Sequence, residues 1–289
     1  MLSPTDNLLA LRQLATLRLS AASALVCQGQ SLWVLADDAL VLQRYNLSGD
    51  WQAEQTLLPG ELPTDAKQRK RLKPDFEALL LLPEGGLLAL GSGSTKRRCR
   101  GCLVKADSVR VIDLNPLYQA LAEHFQDLNI EGGVAYRGQL LLAQRGNGRG
   151  RENALVVLDL PQVQRDLQHG QLSAAALQRT VPLQLPELDG VPLSLTDLSV
   201  APSGALYFTA TGEATDSSYL DGACVGSVLG RLDAQLTVVE LSRLTPVVKI
   251  EGLAFQADGR PLLVADADDP TIASPLFTLD GFSEPARSH

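Results

Sequence analysis

Short apolar bursts recur along the chain, each broken by a glycine-containing polar step and then resumed. The form is plain in "FEALLLLPEGGLLALGSGS" (76–94) and returns in "IEGGVAYRGQLLLAQRGN" (130–147), "LTDLSVAPSGALYFTATG" (195–212) and "IEGLAFQADGRPLLVADAD" (250–268). Apolar runs of this length, bounded by Gly and polar residues, predict strands rather than helices. Gly supplies the positive φ of a tight turn, so each pair of bursts predicts a hairpin. Third strands follow at "LVLQRY", "CLVKA", "ALVVLDL", "SVLGRL" and "SPLFTL", and fourth strands at "VRVIDL" and "LTVVEL".

An acid opens the first strand of four units: Glu77, Glu131, Asp197 and Glu251, spaced by 54, 66 and 54 residues. A further 54 residues towards the N-terminus lies Ser23, in "SALVCQGQSLWVLADD", which has the same form without the acid. The first strands are apolar on both faces ("ALLLL", "GVAY", "GLAF"), as in sheets stacked on both sides. Together these features predict one all-β domain over residues 1–289, a β-propeller of five blades, each a four-stranded antiparallel meander. The blades start near residues 23, 77, 131, 197 and 251; six irregular blades is the alternative count. The last unit lacks a fourth strand, which the N-terminal "QLATLRLS" (13–20) would supply, closing the ring. The longer third unit predicts a helical insertion over 161–178. Asn115 followed by Pro116 predicts a second helix over 116–125, with Asn115 as its N-cap.

In a blade the first strand lines the central channel, and its start shares one mouth with the loop between strands two and three. The loops at 36–39, 91–100, 145–152, 212–224 and 265–270 would therefore meet Glu77, Glu131, Asp197 and Glu251. Four carboxylates in one mouth raise one another's pKa values unless something compensates. Three arrangements answer this. Ca²⁺ or another divalent cation could sit on Glu77, Glu131 and Glu251. Arg145, Lys96, Arg97, Lys73 and Lys249 could pair with the acids. Or each carboxylate could cap backbone N–H groups of the next blade. Lys96, Arg97, Arg145 and Asp197 are the ligand-binding candidates. The "GSGSTKRR" loop (91–98) offers consecutive N–H groups beside three cations, a concavity suited to an anion. It lacks the ending and the following helix of a P-loop. Asp266, Asp268 and Asp269, like Asp216 and Asp221, resemble fragments of a calcium loop without the EF-hand spacing.

The net charge of −8 argues against nucleic acid as a partner. With no run of 18 apolar residues, no membrane span is expected. The acidic start, with Arg12 and Arg18 interrupting the apolar stretch, argues against a signal peptide, so a cytoplasmic monomer is expected. The four cysteines do not make a disulfide scaffold. Cys99 and Cys102 read as a loop cysteine and a strand cysteine, since no second pair completes a zinc site and no βαβ pattern surrounds them. Cys27 and Cys224 read as packing residues. His124, His169 and His289 lie outside the mouth loops, which counts against Ser-His-Asp or Cys-His chemistry.

The repeated "EGLAF", "EGGVAY" and "FEALLLL", with the strand ends "LGSGS" and "AQRGN", resemble bacterial propellers of the esterase-like phytase type and their uncharacterised relatives, from about residue 20 to 280. The resemblance implies a propeller with ligand or metal carboxylates at Glu77, Glu131 and Glu251 and with Arg145 and Lys96 nearby. It departs at Asp197, in a "TDLS" setting, and in the first unit, which has no acid. Two functions stay open. One is a binding propeller for a small polar or anionic ligand, or for a protein partner. The other is a hydrolase of phosphoesters or esters, in which Ca²⁺ or another divalent ion activates water while Lys96, Arg97 and Arg145 hold negative charge.

Overall fold

Strands form where the apolar bursts lie. The computed structural model describes residues 7–106, 108–148, 150–214 and 222–284. After β1 (Leu8–Thr16) come β2 (Ala22–Gln28), β3 (Ser31–Ala36), β4 (Val41–Asn46) and β5 (Trp51–Thr56), one antiparallel meander. Helix α1 (Ala66–Leu72) leads to a second: β6 (Phe76–Leu81), β7 (Leu87–Gly91), β8 (Arg100–Lys105) and β9 (Ser108–Asp113). Helix α2 (Asn115–Leu121) precedes the third, β10 (Ile130–Tyr136), β11 (Gln139–Gln144), β12 (Ala154–Asp159) and β13 (Leu177–Pro182), with α3 (Leu160–Gln168) inserted before its last strand. A short β14 (Glu187–Leu188) introduces the fourth: β15 (Val191–Val200), β16 (Leu206–Glu213), β17 (Cys224–Leu232) and β18 (Val238–Thr245). The last contains β19 (Lys249–Phe255), β20 (Pro261–Asp266) and β21 (Pro275–Asp280). Its outer strand is β1, which pairs antiparallel with β21 (Leu11 opposite Leu279) and also runs parallel to β18.

Strand alternation explains why these sheets stack. Successive side chains point to opposite faces, and here both faces are covered. Leu140 and Leu142 pack into the apolar layer between the second and third meanders, while Leu141 and Ala143 pack into the layer between the third and fourth. Three more such layers fill the remaining gaps, the last joining the final meander to the first. The inner strands β2, β6, β10, β15 and β19 accordingly neighbour one another in a closed cycle. This is a β-propeller, and its hub is where those strands begin. No helix among the described residues is long and apolar enough to cross a membrane.

The helices correct some local expectations. Helix α3 falls in the predicted insertion, capped by the Asp159 side chain, which accepts from the Gln162 N–H at 3.0 Å. Helix α2 begins at Asn115 rather than being capped by it: Leu114 is the N-cap, and the Asn115 N–H donates to Asp113 Oδ1 at 3.0 Å. Helix α1 is not announced by the apolar pattern of the chain. It is capped by Asp65, which accepts from the Gln68 N–H at 2.9 Å.

One irregularity recurs in every inner strand. Its pairing with the second strand slips by one residue, leaving Ser23, Glu77, Glu131, Thr196 and Glu251 at the bulges. A bulge bends its strand and re-aims a side chain. It also fixes the true repeat register, which differs from the aligned acids in the fourth unit. Thr196, not Asp197, is the counterpart of the three glutamates. A one-residue shift moves a side chain to the opposite face of a strand, so Asp197 belongs with Ala24, Ala78, Gly132 and Gly252.

Candidate functional site

The bulged starts of the inner strands and the loops after the second strands enclose a cavity of about 220 Å³ at one end of the hub. Among the described residues, nine carboxylates and six cationic side chains line it. These charges divide into two groups with different degrees of compensation.

The first group comes from the third, fourth and fifth meanders. Bulge residues Glu131 and Glu251 meet Glu213 from the end of β16 around two cations, Arg145 and Lys249. Arg145 is 5% exposed. Its Nη1 lies 3.0 Å from Glu131 Oε2 and 3.6 Å from Glu251 Oε1, and its Nη2 pairs with Glu213. Lys249 Nζ sits 3.2 Å from both Glu213 Oε1 and Glu251 Oε1, and 2.8 Å from Asp268 Oδ1. The second oxygen of Glu131 accepts from Asn129 Nδ2 at 2.5 Å. Burial alone would lower the pKa of Arg145, but Glu131, Glu251 and Glu213 outweigh it and hold the guanidinium protonated. Burial pushes Glu131 up to about 7, partly offset by Arg145.

The second group comes from the first two meanders. Asp37 follows β3; Asp75 and Glu77 flank the start of β6, so Asp75 and the bulge carboxylate face the same mouth. Lys73 pairs with Asp37 and lies 3.0 Å from Asp75 Oδ1. Arg98 reaches Asp75 Oδ2 at 2.7 Å, and the Ser92 hydroxyl donates to the same oxygen at 2.5 Å. Glu77 has no hydrogen-bond or ion-pair partner among the described residues, although it lines the cavity. Burial, then the charges of Glu131, Asp75 and Asp37, push its carboxyl well above the usual range, and Lys73 offsets only part of this. Burial likewise lifts Asp266, at the end of β20, to about 7.

Carboxylate oxygens of Asp37, Asp75 and Glu77 lie within 4.8 Å of one another, a donor set of hard oxygens compatible with a divalent ion. The ammonium of Lys73 already stands against two of the three, so a metal here would have to displace or share its position. The set expected from sequence, Glu77 with Glu131 and Glu251, does not form one donor cluster. Glu131 and Glu251 are engaged by Arg145 and Lys249, and only Glu77 belongs to the group that can take a metal.

Asp197 is placed elsewhere. It is 1% exposed. Its oxygens accept from the N–H groups of Leu198 at 2.7 Å and Leu253 at 2.8 Å, and it also accepts from Gly133. It therefore ties three neighbouring inner strands together instead of facing a ligand, which is the capping arrangement for this one acid. A Cβ at Gly132 would lie 2.5 Å from Asp197 Cα, so the approach of the two strands requires glycine there. Lys96 and Arg97 do not line the hub; they sit outside it in a separate pocket. Asp216 and Asp221 lie outside the described residues. Cys99 and Cys102 are free thiols, the second buried in β8, and burial pushes Cys102 up to about 12.

Sequence reasoning missed Asp75, Arg98 and Glu213 as hub residues. Asp75 had a signal, since it stands two residues before Glu77 at the same strand start. Glu213 closes the second strand of its unit as Arg145 follows that of the preceding one, and this pairing across units was the available clue.

Residues 18–280 match one protein family, described as "Family of unknown function (DUF6929)". No curated protein matches the chain. Among solved structures the chain is similar to a glutaminyl cyclase from Myxococcus xanthus, at 14% identity over 94% of this chain and 97% of that one, with a TM-score of 0.56. It is also similar to a luciferin-regenerating enzyme, at 10% identity over 96% and 97% of the two chains, TM-score 0.51. A WD40 β-propeller domain of Doa1 matches at 7% identity over 92% and 96%, TM-score 0.41. Identities this low speak to the fold alone. The resemblance to esterase-like phytases read from the short motifs is not shown by these matches.

Proposed function

The chain belongs to this family of unknown function, and we propose that its hub binds a small polar ligand through a positively charged group, an amine or guanidinium, seated against Glu77. The observation that carries this reading is Glu77 itself, a carboxylate in the cavity wall without a partner among the described residues. Its neighbours make the preference one of sign, because acids outnumber cations in the lining. An arriving cation would replace the proton that burial and like charge favour on Glu77. A cavity of about 220 Å³ suits a ligand smaller than the drug-sized occupants of typical pockets of roughly 300–1,000 Å³. Arg145, Lys249 and their acids form the rigid floor. Within this reading the protein acts as a cytoplasmic monomer without a nucleic-acid partner.

Thermal unfolding against a panel of small amines and guanidinium compounds tests the proposal, because a ligand of the native state raises Tm by mass action. Glu77→Gln should abolish the shift given by any compound found. A wild-type response from Glu77→Gln would sink the reading.

A second reading has one specific observation behind it, the proximity of the Asp37, Asp75 and Glu77 oxygens. A divalent ion there would activate water for phosphoester or ester hydrolysis, in line with the phytase-like motifs. Melting with EDTA and with Ca²⁺, Mg²⁺ or Mn²⁺ separates the two. A metal shift lost in both Asp37→Asn and Glu77→Gln favours the hydrolase; no shift with any ion removes it.

A further inference from the structure

Outside the hub, Lys70 and Arg71 of α1 face Thr95 and the 3-10 turn Lys96–Arg98 across a pocket of about 330 Å³. Among the described residues no carboxylate lines it. Arg71, Lys96 and Arg97 are exposed, and none has a hydrogen-bond or ion-pair partner among the described residues. Elsewhere on the surface Arg12, Arg231, Arg243 and Arg260 each reach a carboxylate, at 2.8, 3.0, 2.6 and 3.5 Å. In a chain with 33 acidic and 25 basic residues, these three adjacent cations have no acid between them among the described residues. Their mutual repulsion opposes folding.

The cluster is also held in place. Arg98, 7% exposed, donates to Lys70 O at 3.3 Å and Ser94 Oγ at 2.8 Å while paired with Asp75. That clamp fixes the loop against α1. Part of the loop's N–H set is spent within it: Gly93 donates to Arg98 O at 3.2 Å, Ser94 to Ser92 Oγ at 3.3 Å and Arg98 to Thr95 O at 2.9 Å. Attraction for an anion therefore rests first on the side chains.

We propose that this pocket binds a phosphate-class dianion, either free phosphate or the phosphoryl group of a small phosphate ester. Arg71 and Arg97 bring planar guanidinium forks and Lys96 a point charge, the combination that recognises phosphoryl oxygens. The pocket shares Lys70 and Arg98 with the lining of the hub. The proposal stands independently of the Glu77 reading.

Calorimetric titration at constant ionic strength, balanced with chloride, tests it with inorganic phosphate and glycerol phosphate as probes. Saturable one-to-one binding is expected. The exposed double substitution Lys96→Gln/Arg97→Gln should weaken it about tenfold or more, with Tm unchanged or slightly raised as the repulsion is relieved. Arg12→Gln/Lys105→Gln removes the same charge elsewhere and should bind as wild type. Glu77→Gln should also keep phosphate binding, so failure here and failure of the hub reading are distinguishable. Absence of saturable binding, an equal loss in the control pair, or binding to phosphatidic acid vesicles without binding to soluble phosphate would each overturn the proposal.

Discussion

Three glutamates occupy the same bulge of three inner strands, yet they meet different fates. Glu131 and Glu251 converge with Glu213 on Arg145 and Lys249, and each finds a cation within 3.6 Å. Glu77, on the inner strand next to that of Glu131, lies among Asp37 and Asp75 instead, with Lys73 already paired to both. The motif is the same and the backbone the same. The difference lies in what the second-strand loops deliver, an arginine in the third meander and an aspartate in the first. A compensated buried cluster is scaffold, because removing any member strands a charge. An uncompensated acid beside it is a place where a ligand can do what the protein does not.

The largest test of this contrast is Arg145→Met. It leaves three buried carboxylates with one lysine, and stability at pH 8 should fall by about 3–5 kcal/mol in urea unfolding. A smaller loss at pH 5, where Glu131 can take up a proton, would sharpen the assignment. A loss below about 1 kcal/mol would break the distinction between the two halves.

Next in size is Asp197→Ala, which orphans N–H groups on three strands and should cost roughly 2–4 kcal/mol. Thr196→Val, at the true bulge position, loses only a neutral hydrogen bond to the Thr209 hydroxyl at 2.9 Å and should cost about 1 kcal/mol. The reverse ranking would overturn the register of the fourth unit.

Glu77→Gln should act in the opposite direction. The raised pKa of Glu77 means that the native state holds its proton more tightly than the unfolded chain does. Its contribution is favourable below the folded pKa and is lost as pH rises through it. Glutamine removes that loss, so the variant should be more stable than wild type at pH 8, by about 1 kcal/mol, and nearly equal at pH 5. Equal stabilities at both values would mean that Glu77 is not strained by its neighbours.

The smallest effect is the pH slope of the wild type. Glu131 and Asp266, both raised to about 7, add to Glu77 in making stability fall between pH 5 and 8. Melting temperature across that range should decline, and Asp266→Asn should flatten part of the decline.

Much of this hub was legible in the chain. The repeat, the hairpin glycines and the acids at the inner strand starts all follow from patterns a few residues long. Gly138, for instance, turns between β10 and β11 at φ +78° with open space around it, so the demand is conformational and visible locally. The fourth unit misleads because "TDLS" offers an acid one residue away from the bulge. Only the pairing with β16 reveals which residue slips. Lys96 and Arg97 were placed at the mouth because their loop lies there, but the clamp of Arg98 onto α1, a helix the periodicity did not announce, turns them outward.

The sequence by itself determined the strands, their grouping into repeated meanders and the arrival of glutamates at the bulges of three inner strands, because turn chemistry and side-chain alternation act between near neighbours. The tertiary structure alone decided which acids are satisfied. Arg145 meets Glu213 across 68 residues, and Lys73 meets Asp37 across 36. Ion pairing depends on separations of a few ångströms between segments that share nothing along the chain, and those distances exist only once the blades have stacked.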